Sequence, residues 1–193
     1  MRSRLRPLWA FGALAVVVGV VMSVSQLAGQ GQAARGRGNT PVERGKYFVD
    51  ITGCHDCHSP KKDAQGHIDE TRILSGRPST TAVPSTTAGE IHTALDLTAW
   101  TGPWGTTSAS NLTPDPTTGL VSRKYTEATF LAMFRTGKKP LGAGILPPMP
   151  WEMYANLTDE DIKAVWAYLQ TIKPIRNAVP APVLAAAPPA RGK

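Results

Sequence analysis

The pattern of apolar and polar residues begins with an uncharged run from Leu8 to Val24, which follows three arginines in the first six positions. A basic start followed by an apolar run is the layout of a secretory signal peptide. At 17 residues, the run lies between the apolar region of such a peptide and a full membrane span. We therefore expect residues 1–28 to form a signal peptide or a membrane anchor helix, and both remain open.

The charge around this run predicts the side of the membrane on which the rest of the chain lies. Because the basic end stays on the cytoplasmic side, the following domain is exported. We therefore expect it on the periplasmic side of the inner membrane, either soluble or anchored by residues 8–28. Residues 29–40 are rich in Gly, Gln and Ala and are typical of a flexible linker.

Helical signals open the domain that we expect over residues 41–175. Pro41 fits the first turn of a helix, Thr40 can cap that helix, and the pattern continues to Ile51. Gly45 inside this helix costs about 1 kcal/mol relative to alanine. We therefore expect another part of the backbone to approach it closely.

The clearest helical pattern lies near the end of the same domain. Thr158 and Asp161 form a capping-box-like start, and Pro174 marks the end. The apolar residues after this start recur at helical spacing on one face: Ile162, Val165, Trp166, Leu169 and Ile172. A shorter helix is predicted over residues 126–136, which carry an apolar face and are followed by glycine.

Between these helices the pattern is irregular. Residues 59–82 are polar and broken by Gly and Pro, and residues 83–124 are rich in Thr, Ser, Pro and Gly without a clear period. A loop this long is functional or carries short elements that the pattern does not resolve. Prolines and alanines predict a non-globular tail over residues 176–193. The expected fold class is therefore all-α, with long irregular loops between the helices.

Charge and cysteine content change this picture little. The chain has 21 basic and 14 acidic residues, and three of the basic residues belong to the N-terminal run. The remaining lysines and arginines form no basic stripe of the kind that nucleic acid requires, so we expect no nucleic-acid partner. The chain has two cysteines, and both belong to a single motif.

That motif is the pentapeptide Cys54-His55-Asp56-Cys57-His58. C-x-x-C-H is the pattern of covalent c-type haem attachment: two thiols on one turn can bond the haem vinyl groups, and the next imidazole can ligate the iron. We predict one covalent haem c, anchored by Cys54 and Cys57, with His58 as the proximal iron ligand. A zinc site would need four ligands, usually in two separated pairs, and a thioredoxin-like dithiol would need a βαβ context.

The second iron ligand decides between a closed electron carrier and an open haem site. Met149 stands between Pro148 and Pro150, which restrict the backbone and make a stiff loop that can hold a thioether against iron. Met149 is therefore the predicted sixth ligand, with Met153 as its main rival. Other candidates are expected elsewhere, in the helical core or in exposed loops: Met133, His67 and His92.

Three further motifs surround the pentapeptide. They are Arg44-Gly45-Lys46-Tyr47 before it, the Asn-Leu-Thr-Pro-Asp segment within residues 110–120, and Met149-Pro150-Trp151 leading into residues 154–161. In this order they resemble class I c-type cytochromes, and more narrowly the cytochrome c subunits of bacterial periplasmic dehydrogenases, over about residues 42–175. The resemblance implies a cytochrome c fold, in which the first and last helices cross beside the haem.

The resemblance also implies electron transfer rather than catalysis by this chain. Many such subunits carry three haems, whereas this chain has a single C-x-x-C-H motif and is expected to be mono-haem. The expected partners are a periplasmic dehydrogenase or components of a respiratory chain. Four lysines either steer an acidic partner or are ordinary solvated charges: Lys61, Lys62, Lys138 and Lys139. The alternative function is an open-site haem enzyme or a gas-binding sensor.

Overall fold

The structure, a computed structural model, describes residues 40–185 of the chain. Residues 1–28, predicted as a signal peptide or membrane anchor, lie outside the described residues, as do the predicted linker up to residue 39 and the last part of the predicted tail. Among the helices in residues 40–185, none is both long enough and apolar enough to cross a membrane.

Five α-helices lie in this region, and the three longest begin directly after a threonine cap. Their bounds are α1 (Pro41–Ile51), α2 (Cys54–His58), α3 (Glu127–Thr136), α4 (Trp151–Tyr154) and α5 (Asp159–Leu169), with a 3-10 turn at Glu70–Arg72. At the start of α1, Thr40 Oγ1 accepts from the N–H of Glu43 at 3.2 Å, and the Glu43 carboxylate accepts from the N–H of Thr40 at 3.0 Å. The same reciprocal pair between Thr158 and Asp161 starts α5. Each pair satisfies backbone donors that a helix start leaves free.

Helices α1 and α5 pack closely at Gly45. A β-carbon built on Gly45 would lie 1.9 Å from the carbonyl oxygen of Ala164 and 2.9 Å from Cβ of Tyr168. Beside this contact, Arg44 Nε donates to Asp161 Oδ1 at 2.7 Å. The close backbone approach expected at Gly45 is confirmed, and it sets the distance between the first and last helices.

A four-stranded antiparallel sheet lies in the region that the sequence leaves irregular. Its strands, in spatial order, are β1 (His92–Thr93), β2 (Ala99–Gly102), β3 (Gly105–Ser108) and β4 (Val183–Leu184). The prediction of an all-α fold is therefore wrong. Threonine and tryptophan favour strands, but strands of two to four residues are too short for an alternating pattern to stand out.

The chain after α5 returns across the domain to complete this sheet. Val183 pairs with Thr106, and Ala185 N–H donates to the carbonyl oxygen of Trp104 at 3.0 Å. Gly105, at φ 101°, allows the approach because a β-carbon there would lie 2.1 Å from the carbonyl oxygen of Val183. Part of the predicted tail, residues 176–185, therefore packs against the domain.

The apolar core is built mainly by the three long helices. Its buried residues are Val49, Leu74, Leu120, Phe130, Met133, Phe134, Ile162, Val165 and Leu169. The ring centroid of Phe130 lies 5.1 Å from that of Phe134 and 5.4 Å from that of Trp166, distances typical of favourable aromatic pairs. Most of these core residues also line a cavity, and the helices therefore form its walls.

Candidate haem site

A cavity of about 760 Å³ lies among the long helices, α2, the β2–β3 hairpin and the segment after α5. Its lining is mostly apolar. The four residues predicted to bind haem, Cys54, Cys57, His58 and Met149, all line this cavity. The fold therefore brings together the pentapeptide and a methionine that lies far from it in the sequence.

The two cysteines reach the cavity from α2. Gly53, in the left-handed conformation at φ 77°, precedes the helix, and both thiols are free and half-buried. Burial raises the pKa of the Cys54 and Cys57 thiols, whereas a redox dithiol depends on a thiol of lowered pKa. The surroundings of the thiols therefore disfavour a redox dithiol. Within residues 40–185, no three His, Cys, Asp or Glu side chains are grouped so that they could hold a metal ion.

His58 is held in one tautomer by a backbone acceptor. Its Nδ1 lies 2.7 Å from the carbonyl oxygen of Ser110, and because a carbonyl can only accept, Nδ1 carries the proton. Desolvation lowers the pKa of His58 to about 4, so the ring is neutral at neutral pH. Nε2 therefore keeps the lone pair that an iron ligand needs.

Met149 reaches the cavity from the loop between α3 and α4. Thr107 Oγ1 donates to the carbonyl oxygen of Pro147 at 2.7 Å, which ties this loop to β3. Trp151 N–H donates to the carbonyl oxygen of Met149 at 2.9 Å, so α4 begins directly after the loop. Met149 packs against the core, whereas Met153 is 70% exposed and does not line the cavity. Of the two candidate methionines, Met149 lines the cavity and Met153 does not.

The other candidate ligands either lie outside the cavity or have their donor atom engaged. His67 and His92 do not line the cavity, and each lies beside a carboxylate, at 2.8 and 2.9 Å respectively. Met133 does line it, but its sulfur accepts a hydrogen bond from the Tyr125 hydroxyl at 3.3 Å. Both Met133 and Met149 line the cavity, and within residues 40–185 the Met149 sulfur accepts no hydrogen bond.

Sequence reasoning does not find three polar groups that stand at the cavity. One is the Ser110 carbonyl, whose only sequence signal is that it directly precedes the Asn-Leu-Thr-Pro-Asp motif. Another is the Tyr154 hydroxyl, which donates to the carbonyl oxygen of Thr52 at 2.7 Å, and burial raises its pKa to about 12. The third is Arg123, which donates to two backbone carbonyls and whose pKa is lowered by desolvation.

The four lysines expected at the haem edge differ in their environments. Lys61 Nζ donates to three backbone carbonyls at the end of α2, at distances of 3.1, 2.8 and 2.7 Å. Lys139 lines the cavity, and burial lowers its pKa. Lys62 and Lys138 are exposed. Only two of the four lysines, Lys62 and Lys138, are therefore exposed surface charges.

The residues of this cavity fit a covalent haem. Two thiols on one turn, a neutral imidazole with a free Nε2 lone pair, and a thioether from a separate loop supply the two anchors and the two axial donors. The apolar lining suits the porphyrin ring. Arg123 and Lys139 add positive charge beside the cavity, which suits the haem carboxylates.

Comparison with known proteins adds an independent finding. No family model matches the chain. The chain is 30% identical over 135 residues to the fructose dehydrogenase cytochrome subunit of Gluconobacter japonicus, which covers 69% of this chain and 22% of that protein. It is 30% identical over 138 residues, 71% of the chain and 24% of the relative, to the gluconate 2-dehydrogenase cytochrome c subunit of Pantoea cypripedii.

A third relative is the cytochrome c subunit of the quinone-dependent alcohol dehydrogenase of Gluconobacter oxydans. It is 29% identical over 163 residues, which are 84% of this chain and 27% of that protein. The chain thus spans about a quarter of the length of these curated relatives. It is similar to cytochrome subunits of dehydrogenases, over one part of each.

Proposed function

We propose that this chain is an electron carrier with one covalent haem c, attached through Cys54 and Cys57 and ligated by His58 and Met149. The observation that carries the proposal is that all four side chains line the same mostly apolar cavity of about 760 Å³. The similarity to dehydrogenase cytochrome subunits supports the same conclusion. No residue of the chain is assigned a catalytic role.

The bound haem would supply a one-electron Fe(III)/Fe(II) couple. The chain's own residues set the conditions for that couple. The Ser110 carbonyl accepts from His58 Nδ1, which orients the imidazole and raises its basicity. The thioether of Met149 would ligate the iron and raise its potential, and the apolar helices would keep water away from the ring.

We also propose that the electron donor or acceptor is a dehydrogenase on the periplasmic side of the membrane. Two observations support this. The relatives are named as subunits of fructose, gluconate and alcohol dehydrogenases, and the first 28 residues carry arginines followed by an apolar run, which is typical of export. An open-site haem enzyme or sensor is the competing function, and it requires a free sixth position.

The first experiment compares Met149→Ala with the matched control Met153→Ala in the purified haem-containing protein. Wild type and Met153→Ala should show the weak far-red absorption band of ferric iron–methionine ligation, and neither should bind carbon monoxide when reduced. Met149→Ala should lose the band and bind carbon monoxide. Carbon monoxide binding by the wild type would refute the closed carrier, and loss of the band in Met153→Ala alone would move the ligand to Met153.

Covalent attachment has its own test. The proposal predicts that a denatured wild-type chain retains its haem, and that removing both thiols in Cys54→Ala/Cys57→Ala abolishes this retention. A wild-type chain that releases its haem on denaturation would contradict the attachment.

A further inference from the structure

The proposed function leaves the Asn-Leu-Thr-Pro-Asp motif without a role. Three of its polar residues are almost fully buried, since Asn111, Thr113 and Asp115 are 1%, 0% and 7% exposed. Buried polar groups with satisfied hydrogen bonds hold a defined local structure. The motif directly follows Ser110, whose carbonyl accepts from His58 Nδ1, so it is placed to control that acceptor.

Asn111 directly follows Ser110 and is hydrogen-bonded through its side chain and its carbonyl. Its Oδ1 accepts from the N–H and the hydroxyl of Thr113, at 3.0 and 2.8 Å, which closes a tight turn. Its Nδ2 donates to Thr118 Oγ1 at 3.1 Å and to the carbonyl oxygen of Ile175 at 2.8 Å. Its own carbonyl accepts from Arg123. The side chain therefore ties the turn after Ser110 to the segment that follows α5.

The opposite side of the same stretch is held by backbone hydrogen bonds. Leu112 N–H donates to the carbonyl oxygen of Leu74 at 2.8 Å, and Arg77 N–H donates to that of Ala109 at 3.0 Å. The residues on both sides of Ser110 are thus fixed to the segment after the 3-10 turn, and Asn111 fixes them from the other direction.

We propose that Asn111 is a positioning residue for His58, acting by holding the Ser110 carbonyl within hydrogen-bond distance of His58 Nδ1. The inference rests on the proposed function, in which His58 ligates the haem iron. A carbonyl acceptor at Nδ1 fixes the ring and raises its basicity, which favours the ferric state. Loss of the Asn111 amide should therefore weaken this hydrogen bond and raise the reduction potential.

Asn177 offers a matched control. It is also buried, at 6% exposure, and its Nδ2 also donates to two backbone carbonyls, those of Ser75 at 2.8 Å and Arg77 at 2.9 Å. Its side chain holds the segment after the 3-10 turn rather than the turn that follows Ser110, and its backbone N–H donates to Thr118 Oγ1 at 2.9 Å. Asn177→Ala therefore removes a buried amide from the Arg77 side of the stretch and leaves the four side-chain hydrogen bonds of Asn111 in place. If Asn111 positions the Ser110 carbonyl, this variant should lose stability without disturbing the acceptor of His58.

The experiment uses the full haem-containing chain as wild type, Asn111→Ala, Asn111→Ser and Asn177→Ala. Serine retains an oxygen for the turn and lacks the amide donors, so it provides a milder variant if alanine prevents folding. Two quantities are measured: the midpoint potential, and the solvent exchange rate of the His58 Nδ1 proton by NMR in the reduced protein.

In the Asn111 variants, we expect exchange of this proton to accelerate at least tenfold. We also expect the ratio of oxidised to reduced protein at a fixed ambient potential to fall at least threefold, a rise of ~28 mV for a one-electron couple. Asn177→Ala should change neither quantity. A purely structural role for Asn111 would lower stability without moving the exchange of one imidazole proton.

Two results would overturn the proposal. Unchanged potential and exchange in Asn111→Ser would show that the backbone hydrogen bonds hold the Ser110 carbonyl alone. Equal changes in Asn177→Ala would show general loosening rather than a specific role. Failure of the proposed function is read separately, from the absence of a covalent haem spectrum in the wild type before any variant is compared.

Discussion

Replacement of Gly45 by alanine tests the helix crossing that forms one wall of the cavity. A β-carbon at this position would lie 1.9 Å from the carbonyl oxygen of Ala164, 2.4 Å from its carbonyl carbon and 2.9 Å from Cβ of Tyr168. Two of these atoms belong to the backbone, so no side-chain rotation relieves the overlap. Helices α1 and α5 must therefore move apart by about 1 Å, judged from ordinary van der Waals separations.

The size of the effect follows from three contributions. Overpacking of a well-packed core costs about 1–3 kcal/mol, and a gap of about 1 Å forfeits up to roughly half of the dispersion energy of the contacts it opens. Alanine returns about 1 kcal/mol through its better helix propensity. We expect Gly45→Ala to lower the free energy of unfolding by about 1–3 kcal/mol, because the overpacking and the opened contacts together exceed the gain in helix propensity.

Urea denaturation of the haem-containing protein, followed by far-UV circular dichroism, measures this change. Gly144→Ala is the matched control, because Gly144 is exposed and the nearest atom to a β-carbon there is 4.0 Å away. That variant should alter the free energy of unfolding by less than about 1 kcal/mol. If Gly45→Ala is as stable as the wild type, the close crossing of α1 and α5 is refuted.

Two further predictions concern charged groups near the site. Lys61→Met removes the cation that donates to three carbonyls at the end of α2, and this should lower the free energy of unfolding by about 1–3 kcal/mol. The exposed control Lys62→Met should leave the free energy of unfolding unchanged. Equal thermal denaturation midpoints for the two variants would contradict a stabilising role for the Lys61 hydrogen bonds. Hydrogen bonds from Thr118 and Thr117 lower the pKa of Asp115 from 3.8 to about 2, so this carboxylate stabilises the fold above pH 3.8 and the contribution is lost as pH falls towards 2. The difference in unfolding free energy between wild type and Asp115→Asn should therefore shrink from pH 4 to pH 2. A constant difference over this range would show that the Asp115 carboxylate does not stabilise the fold.

Local sequence signals predict the helices of this protein well. The residues that cap α1 and α5, namely Thr40 and Thr158, lie where the pattern places them. Each cap is made within one turn of chain, so its hydrogen bonds can be inferred from a few neighbouring residues. The spacing of the C-x-x-C-H motif is local in the same sense, since one turn of α2 carries both thiols and the imidazole.

The sheet could not be predicted from such signals. β3 pairs with β4 through Thr106 and Val183, which are far apart in the sequence, and neither strand is longer than four residues. The same applies to the Ser110 carbonyl, which meets His58 across 52 residues of sequence. Pairing at this distance depends on how the whole chain closes its loops rather than on the composition of either segment.

The sequence by itself therefore determined which residues are proposed to bind the haem: two thiols, an imidazole and a proline-flanked methionine, because their types and spacing can be recognised over a few residues. The tertiary structure alone decided where these residues lie and what they contact. It faces Met149 into the cavity and leaves Met153 70% exposed, gives His58 its acceptor, and closes the domain with the segment after α5. These outcomes arise from packing and hydrogen bonds between distant segments, which are formed only when the domain folds.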